Sequence, residues 1–183
     1  MEYKDITALE QGFGHVKQSP AERGTLELIV VRPEVNQRQE LSEGMLDVEQ
    51  GLIGDNWAQR GSSETEDGSA HPEMQINIIN SRLARLVTQQ QSDWKMAGDQ
   101  LYVDLNLHQD NVPAGTRLSI GEAILEVTAV PHTGCKKFAE RFGREALKFI
   151  STKEGKRWQL RGINAKVVKG GKVAVGDSVR KMQ

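Results

Sequence analysis

The chain's single cysteine, Cys135, is the residue best suited to covalent or metal chemistry. It ends the segment 131–135, Pro-His-Thr-Gly-Cys, between a predicted β-branched strand and a predicted helix. A thiol at a helix start lies near the positive end of the helix dipole, and the adjacent Lys136 and Lys137 favour the anion further. The pattern predicts a thiolate that forms more readily than in a free cysteine. The alternative is a buried cysteine that acts as a small hydrophobic residue.

The two lysines also suggest an anion-binding site. Cations in the first turn of a helix oppose its dipole, so Lys136 and Lys137 are unfavourable there unless an anion binds. Arg141 and Arg144 extend the positive charge along the same helix. The alternative is that both lysine side chains extend into solvent, where they cost little.

Three further residues are candidates for the same site. His132 precedes Cys135 by three positions and is placed either to deprotonate the thiol or to bond the backbone as a structural residue. Arg161, before Gly162, either holds a phosphate with two hydrogen bonds or forms a surface ion pair. His71 begins a His-Pro-Glu stretch after a loop rich in Ser, Glu and Gly, and is either a site residue or an exposed loop residue.

Composition excludes several classes of protein. The chain has 183 residues, 37% hydrophobic and 27% charged, enough for one core and one domain. Its net charge of −1 gives no reason to expect nucleic-acid or membrane binding. A lone cysteine excludes an internal disulfide and Cys-rich zinc or iron–sulfur sites. There is no apolar leader and no long apolar run, so we expect a cytoplasmic protein.

The strand pattern predicts a mainly β protein with flanking helices. Many short apolar runs end at glycines without βαβ alternation, which favours a closed or nearly closed β-barrel. We assign residues 25–183 to this barrel domain and residues 1–24 to an N-terminal arm, either loose or acting as a lid. A helix is predicted from the cap at 80–81 to Trp94, and a Gly-Gly hairpin at 169–172.

Several blocks resemble one known family in the family's order. They are Gly-Asp at 54–55 with His-Pro-Glu at 71–73, then Ala-Gly-Asp-Gln-Leu at 97–101, the turn and strand at 113–121, the cysteine segment at 131–135, Arg-Gly-Ile-Asn-Ala at 161–165 and Val-Gly-Asp at 175–177. The set is similar to the MOSC domains, named for the C-terminal domain of molybdenum cofactor sulfurase. The resemblance spans roughly residues 25–180.

The resemblance implies a β-barrel-like fold that holds a molybdenum cofactor or a persulfide. Cys135 would then be the metal ligand or the sulfur carrier, with His132 as a second catalytic residue. A pyranopterin supplies dithiolene sulfurs, so the protein needs to give molybdenum only one soft thiolate. The candidates for cofactor binding are Lys136, Lys137, Arg161, Asp99 and His71.

Three functions are compatible with this resemblance. The first is a molybdenum-dependent reductase of N-hydroxylated or related small substrates. The second is a sulfur-transfer protein with a persulfide on Cys135. The third is a non-catalytic module that binds the cofactor. In the first two cases we expect a small-molecule substrate or acceptor and a separate protein that donates electrons or sulfur.

Overall fold

Short apolar strands curl into a closed barrel. The structure is a computed structural model that describes residues 3–182. Several strands alternate between buried and more exposed positions, as expected for sheets with one covered face, whereas the strand Ile76–Asn80 is buried along its whole length. They are β1 (Arg23–Val31), β2 (Gln39–Leu41), β3 (Glu43–Asp47), β4 (Gly51–Leu52), β5 (Ile76–Asn80), β6 (Leu101–Asp104), β7 (Arg117–Ile120), β8 (Ala123–Val127), β9 (Ile163–Lys169), β10 (Gly171–Ala174) and β11 (Ser178–Lys181).

Seven of these strands form the barrel, as predicted. The order is β11-β7-β8-β9-β5-β6-β1, and an additional pairing between β11 and β1 closes the ring, while β2 extends the sheet beside β1. All pairs are antiparallel except β5 and β6, which are parallel and joined through a helix. This one crossover is a βαβ unit, and it does not repeat along the described residues as an alternating α/β pattern would.

Helices cover one side of the barrel. They are α1 (Ile6–Lys17), α2 (Trp57–Arg60), α3 (Ser81–Val87), α4 (Lys136–Phe142), α5 (Arg144–Ser151) and α6 (Lys153–Arg157), with short 3-10 helices at Pro72–Met74 and Gln91–Ala97. No helix among residues 3–182 has the length and apolar character needed to cross a bilayer.

Strand β1 separates two hydrophobic cores. Ile29 and Val31 pack into the barrel interior, whereas Leu28 and Val30 face the helices. Successive side chains of a strand point to opposite faces, so one run of apolar residues serves both cores. A register shift between Leu26 and Leu28 marks an irregularity in the pairing of β1 with β6.

The N-terminal segment 1–24 contains a packed helix. In α1, Leu9, Phe13 and Val16 are buried in the helical core, with a spacing that places them on one face. Asp5 caps this helix by accepting a hydrogen bond from the Ala8 N–H. The described part of the predicted arm is therefore part of the helical layer and is not loose.

Two local predictions were wrong. Helix α3 begins at the predicted cap, Asn80, but ends at Val87, because Thr88 is extended and the chain continues into a 3-10 helix. The glycines 170–171 do not close a hairpin, since β10 pairs with β3 in a separate three-stranded sheet. A Cβ at Gly170 would lie 2.7 Å from the Leu46 carbonyl oxygen, so this glycine permits a close chain approach.

Candidate functional site

A cavity of about 500 Å³ opens beside the segment that precedes Cys135. Its walls come from the loop after β8, from α5 and α6, and from the turn before β9. The lining residues are Pro131, His132, Thr133, Gly134, Ile150, Ser151, Gly155, Lys156, Gln159, Leu160, Arg161 and Gly162. The loop and the turn therefore bring two predicted site residues, His132 and Arg161, to one cavity.

Arg161 is held by a buried carboxylate. Its Nη1 donates to both oxygens of Asp99, at 3.0 and 2.8 Å, and its Nη2 donates to the Ala97 carbonyl at 3.0 Å. The guanidinium carbon also lies 5.3 Å from the centroid of the Phe138 ring on α4. Asp99 is fully buried, and burial raises the pKa of its carboxyl while the Arg161 charge acts in the opposite direction. The pair is thus a fixed part of the cavity wall.

Two nitrogen atoms at this wall lack partners. Within residues 3–182, Arg161 Nε and His132 Nδ1 are buried and make no hydrogen bond. His132 Nδ1 lies 3.4 Å from Asp99 Oδ1, outside hydrogen-bond geometry. Buried polar atoms are nearly always satisfied, so these two are the positions where a bound ligand would find hydrogen-bonding capacity.

The surroundings of His132 oppose protonation of its imidazole. Burial, followed by the charges of Arg161 and Arg32, holds the pKa of His132 well below its ordinary value. The side chain still leaves 14% of its surface exposed, at the edge of the cavity. A neutral imidazole in this position can accept a proton from a ligand or donate one hydrogen bond to it.

Gly162 is required where the turn meets β5. Its φ is +104°, and a Cβ there would lie 2.4 Å from the Ile78 carbonyl oxygen and 3.2 Å from His132 Nδ1. A side chain would therefore clash with the barrel backbone and press on the histidine.

Cys135 is exposed at the N-cap of α4, directly after the cavity-lining residues 131–134. A Cβ on Gly134 would lie 2.5 Å from a methyl carbon of Leu147, so this glycine lets the loop lie closely against α5. Lys136 extends into solvent, with its Nζ 3.7 Å from Glu140 Oε1 one turn later. Cys135 is thus an exposed residue that follows the cavity-lining segment in sequence but does not itself line the cavity.

A second buried polar network lies nearby. Arg32 pairs with Asp55 through Nε and Nη2, both at 2.8 Å, and its Nη1 donates to Asn77 Oδ1 and to the Gly98 carbonyl. The Asn77 amide donates to Asn164 Oδ1 at 2.6 Å. This network ties β1, β5 and β9 together at one end of the barrel, and its contact with Gly98 joins it to the loop that carries Asp99.

Comparison with known proteins identifies the family to which this chain belongs. The model of the MOSC domain family matches residues 65–180, more than half of the chain. The chain belongs to the MOSC domain family. No protein of curated function gave a significant sequence match.

Solved structures confirm the MOSC fold. The YuaD protein from Bacillus subtilis superposes with a TM-score of 0.60 at 16% identity, covering 88% of this chain and 97% of that chain. YiiM from Escherichia coli superposes with a TM-score of 0.56 at 20% identity, covering 87% of this chain and 70% of that chain. At these identities the similarity concerns the fold alone.

This MOSC domain brings some predicted site residues together and separates others. Asp99, His132 and Arg161 form one cluster, although 62 positions separate Asp99 from Arg161. His71 caps the short helix Pro72–Met74, where its Nδ1 accepts from the Glu73 N–H at 3.2 Å. Among the described residues, the cavity lining stops at Gly134 and includes neither Cys135 nor His71, Lys136 or Lys137.

Sequence reasoning missed the Arg32 network of this MOSC domain. A usable signal exists, since Asn77 and Asn164 interrupt apolar strands at positions that are buried in the structure. Buried polar side chains need partners, so two such asparagines indicate a shared network.

Within residues 3–182, no group of three His, Cys, Asp or Glu side chains could hold a metal ion.

Proposed function

We propose that this MOSC domain binds a molybdenum cofactor beside the cavity, with Cys135 as its single protein ligand to the metal. The observation that carries the proposal is the exposed thiol directly after a cavity wall that holds two unpartnered nitrogen atoms. Family membership supports the cofactor class. A pyranopterin brings its own dithiolene sulfurs, so one soft thiolate from the chain suffices.

The residues present fit such a group. Arg161 and His132 line the cavity and would present a guanidinium and an imidazole to the polar edge of a pterin or to its phosphate. Asp99 holds the guanidinium through two hydrogen bonds, which fixes the direction of the free Nε. Lys136, Lys137 and His71 remain proposed contacts that lie further from the cavity lining.

We further propose that the activity is the two-electron reduction of an N-hydroxylated or related small substrate. In that reaction the N–O bond breaks as two electrons and two protons are taken up; one proton ends on the nitrogen, and the other converts the released hydroxyl to water. When bound, the cofactor would supply the redox chemistry. His132 is placed to accept or donate one hydrogen bond at the cavity edge, and a separate reduced carrier protein in the cytoplasm would supply the electrons.

A sulfur-transfer role is the second candidate, favoured by the exposure of Cys135. If Cys135 carries a persulfide, a nucleophilic acceptor can take its terminal sulfur, and the Cys135 thiolate is the leaving group. A buried thiol would not permit such an encounter with another protein. A non-catalytic cofactor-binding role would share the metal content but lack both activities.

Replacement of Cys135 by serine tests these functions. The hydroxyl ligates molybdenum poorly and carries no persulfide, so the variant should fold normally and lose its metal or its labile sulfur. The measurements are elemental molybdenum and cyanide-labile sulfur in protein from a host that makes the cofactor, together with thermal unfolding. Molybdenum lost in the variant supports the first proposal, and labile sulfur without molybdenum supports the second. Unchanged molybdenum content in the variant would contradict the role of Cys135 as ligand.

A further inference from the structure

A second cavity, of about 550 Å³, also borders helix α6. Its lining comes from the end of α1, the loop after β6 and the helix α6 with its C-cap, and consists of Lys17, His108, Lys153, Glu154, Arg157 and Trp158. Within the described chain, none of these residues lines the cavity beside His132 and Arg161. Helix α6 nevertheless contributes to both cavities, because Gly155 and Lys156 line the first one. The second cavity is thus a separate place on the same helix.

Among the six lining residues, the one carboxylate is already paired. The Lys17 amino group donates to Glu154, and it also lies 4.3 Å from the centroid of the Phe13 ring. Glu154 therefore offsets the charge of Lys17 and leaves the other cations of the lining without an anion from the cavity wall.

The other two cations keep their hydrogen-bond donors free. Within residues 3–182, the Lys153 amino group makes neither a hydrogen bond nor an ion pair. The Arg157 guanidinium makes no hydrogen bond to the same part of the chain, and its Nη2 lies 3.8 Å from the Asp110 carboxylate, which is 71% exposed. An ion pair this long and this exposed contributes little, so both cations remain available to a ligand.

Two neutral donors complete the lining. His108 Nδ1 accepts a hydrogen bond from the Asp110 N–H at 3.1 Å, so the neutral ring carries its hydrogen on Nε2. Neither His108 Nε2 nor the Trp158 indole N–H has a partner in residues 3–182, and neither is a fully buried polar atom. The two rings pack edge to face with their centroids 4.7 Å apart, which orients both donors. Solvent therefore reaches two oriented N–H groups beside the two cations.

We infer that this cavity binds the phosphate group of a small phosphorylated molecule. A phosphate monoester carries a charge of about −1.5 to −2 at neutral pH and has three acceptor oxygens, which suits two cations and two neutral donors. A carboxylate has a single charge and two oxygens, so it would leave part of this set unused. The planar guanidinium of Arg157 matches the geometry of phosphate.

The size of the cavity favours a molecule over a free ion. A volume of about 550 Å³ lies within the range of small-molecule sites, so the rest of a phosphate ester has room beside its phosphate. The inference does not depend on the proposed cofactor or reaction. Cys135→Ser should bind phosphate esters as the original protein does, whatever its molybdenum content, so failure of one proposal leaves the other standing.

Ligand binding to the cofactor-free full chain tests the site. The probes are glycerol phosphate and adenosine monophosphate, compared with inorganic phosphate, glycerol and adenosine by calorimetry at constant ionic strength. At least one ester should bind more tightly than inorganic phosphate, and glycerol and adenosine should not bind. Equal affinities for inorganic phosphate and both esters would indicate a free-ion site and overturn the assignment to a small molecule. No binding of either ester would overturn the inference itself.

Substitutions in the lining locate the ester. Arg157→Gln and Lys153→Gln should each bind it about tenfold more weakly, because one charged donor is lost from an exposed side chain that the fold does not need. The matched control is Arg144→Gln on α5, since Arg144 is exposed, forms no ion pair within residues 3–182 and lines neither cavity. The control should keep the original affinity. An equal loss in all three variants, or no loss in Arg157→Gln and Lys153→Gln, would overturn the inference.

Discussion

The pKa of His132 is lowered first by burial and then by two guanidinium groups placed by distant parts of the chain. Burial removes the water that would stabilise a charged ring, and Arg161 and Arg32 oppose a further positive charge. Asp99 lies 3.4 Å from the ring but is already bonded twice to Arg161. At the residue scale, the site therefore combines a fixed cation with an uncharged proton acceptor.

The lowered pKa of His132 predicts a pH dependence of stability. Because the unfolded chain takes up this proton near 6.5 and the folded chain does so only at lower pH, His132 should destabilise the protein as pH falls below 6.5. The slope from one proton cannot exceed about 1.4 kcal/mol per pH unit. Urea unfolding of the original protein and His132→Gln between pH 7 and pH 5 measures it. The variant should lose less stability over this range, and equal losses would contradict a neutral His132.

At the scale of structural elements, turns and loops position the reactive groups, whereas helices and strands do not. The 159–162 turn delivers Arg161 to the cavity, and the 97–99 loop supplies the Asp99 carboxylate that holds it. Helix α4 contacts both features, since Phe138 packs below the Arg161 guanidinium and Arg141 donates to the Met96 carbonyl beside the loop. The chemistry thus lies where loops meet one short helix.

Gly162 offers a prediction at this scale. Gly162→Ala should destabilise the protein more than Gly176→Ala, because a Cβ at Gly162 would lie 2.4 Å from the Ile78 carbonyl oxygen, whereas at Gly176 nothing lies within 4 Å. The two glycines have similar φ values, +104° and +96°, so the conformational cost of about 1–2 kcal/mol is shared. The difference in unfolding free energy between the variants reports the clash. Equal free energies would show that the turn can move away from β5.

The whole molecule consists of two cores that share the barrel wall. The interior core holds side chains from all seven barrel strands, and the helical core holds α1, α3, α4 and α5 against the outer face. Helix α1 packs against α3 and α5. The N-terminal helix is thus joined to the layer that positions α4 and, through it, Cys135.

A core deletion in α1 tests this coupling. Leu9 is fully buried, so Leu9→Ala should cost about 2–5 kcal/mol of unfolding free energy. The adjacent Glu10 is exposed, and Glu10→Ala should change stability by no more than about 0.5 kcal/mol. Denaturant unfolding of both variants makes the comparison. A cost for Leu9→Ala as small as that of Glu10→Ala would mean that α1 is dispensable.

The sequence by itself determined the features that depend on neighbouring residues. The pattern of apolar residues predicted strand β1, and the capping side chain of Asn80 predicted the start of α3. The loop composition before Cys135 predicted that a helix begins there. Each of these signals acts within a few positions of the chain. The closed barrel followed from the number of short strands and from the family resemblance.

Only the tertiary structure decided which of the chemically capable residues meet. Asp99 and Arg161 are far apart in the chain, and their pairing depends on how the barrel brings loops to one end. The hairpin predicted at the glycines 170–171 was wrong because a tight turn and a close approach to Leu46 both require a residue without a side chain. The burial of each site residue and the charges beside it are set by elements distant in sequence, so no local sequence pattern predicts them.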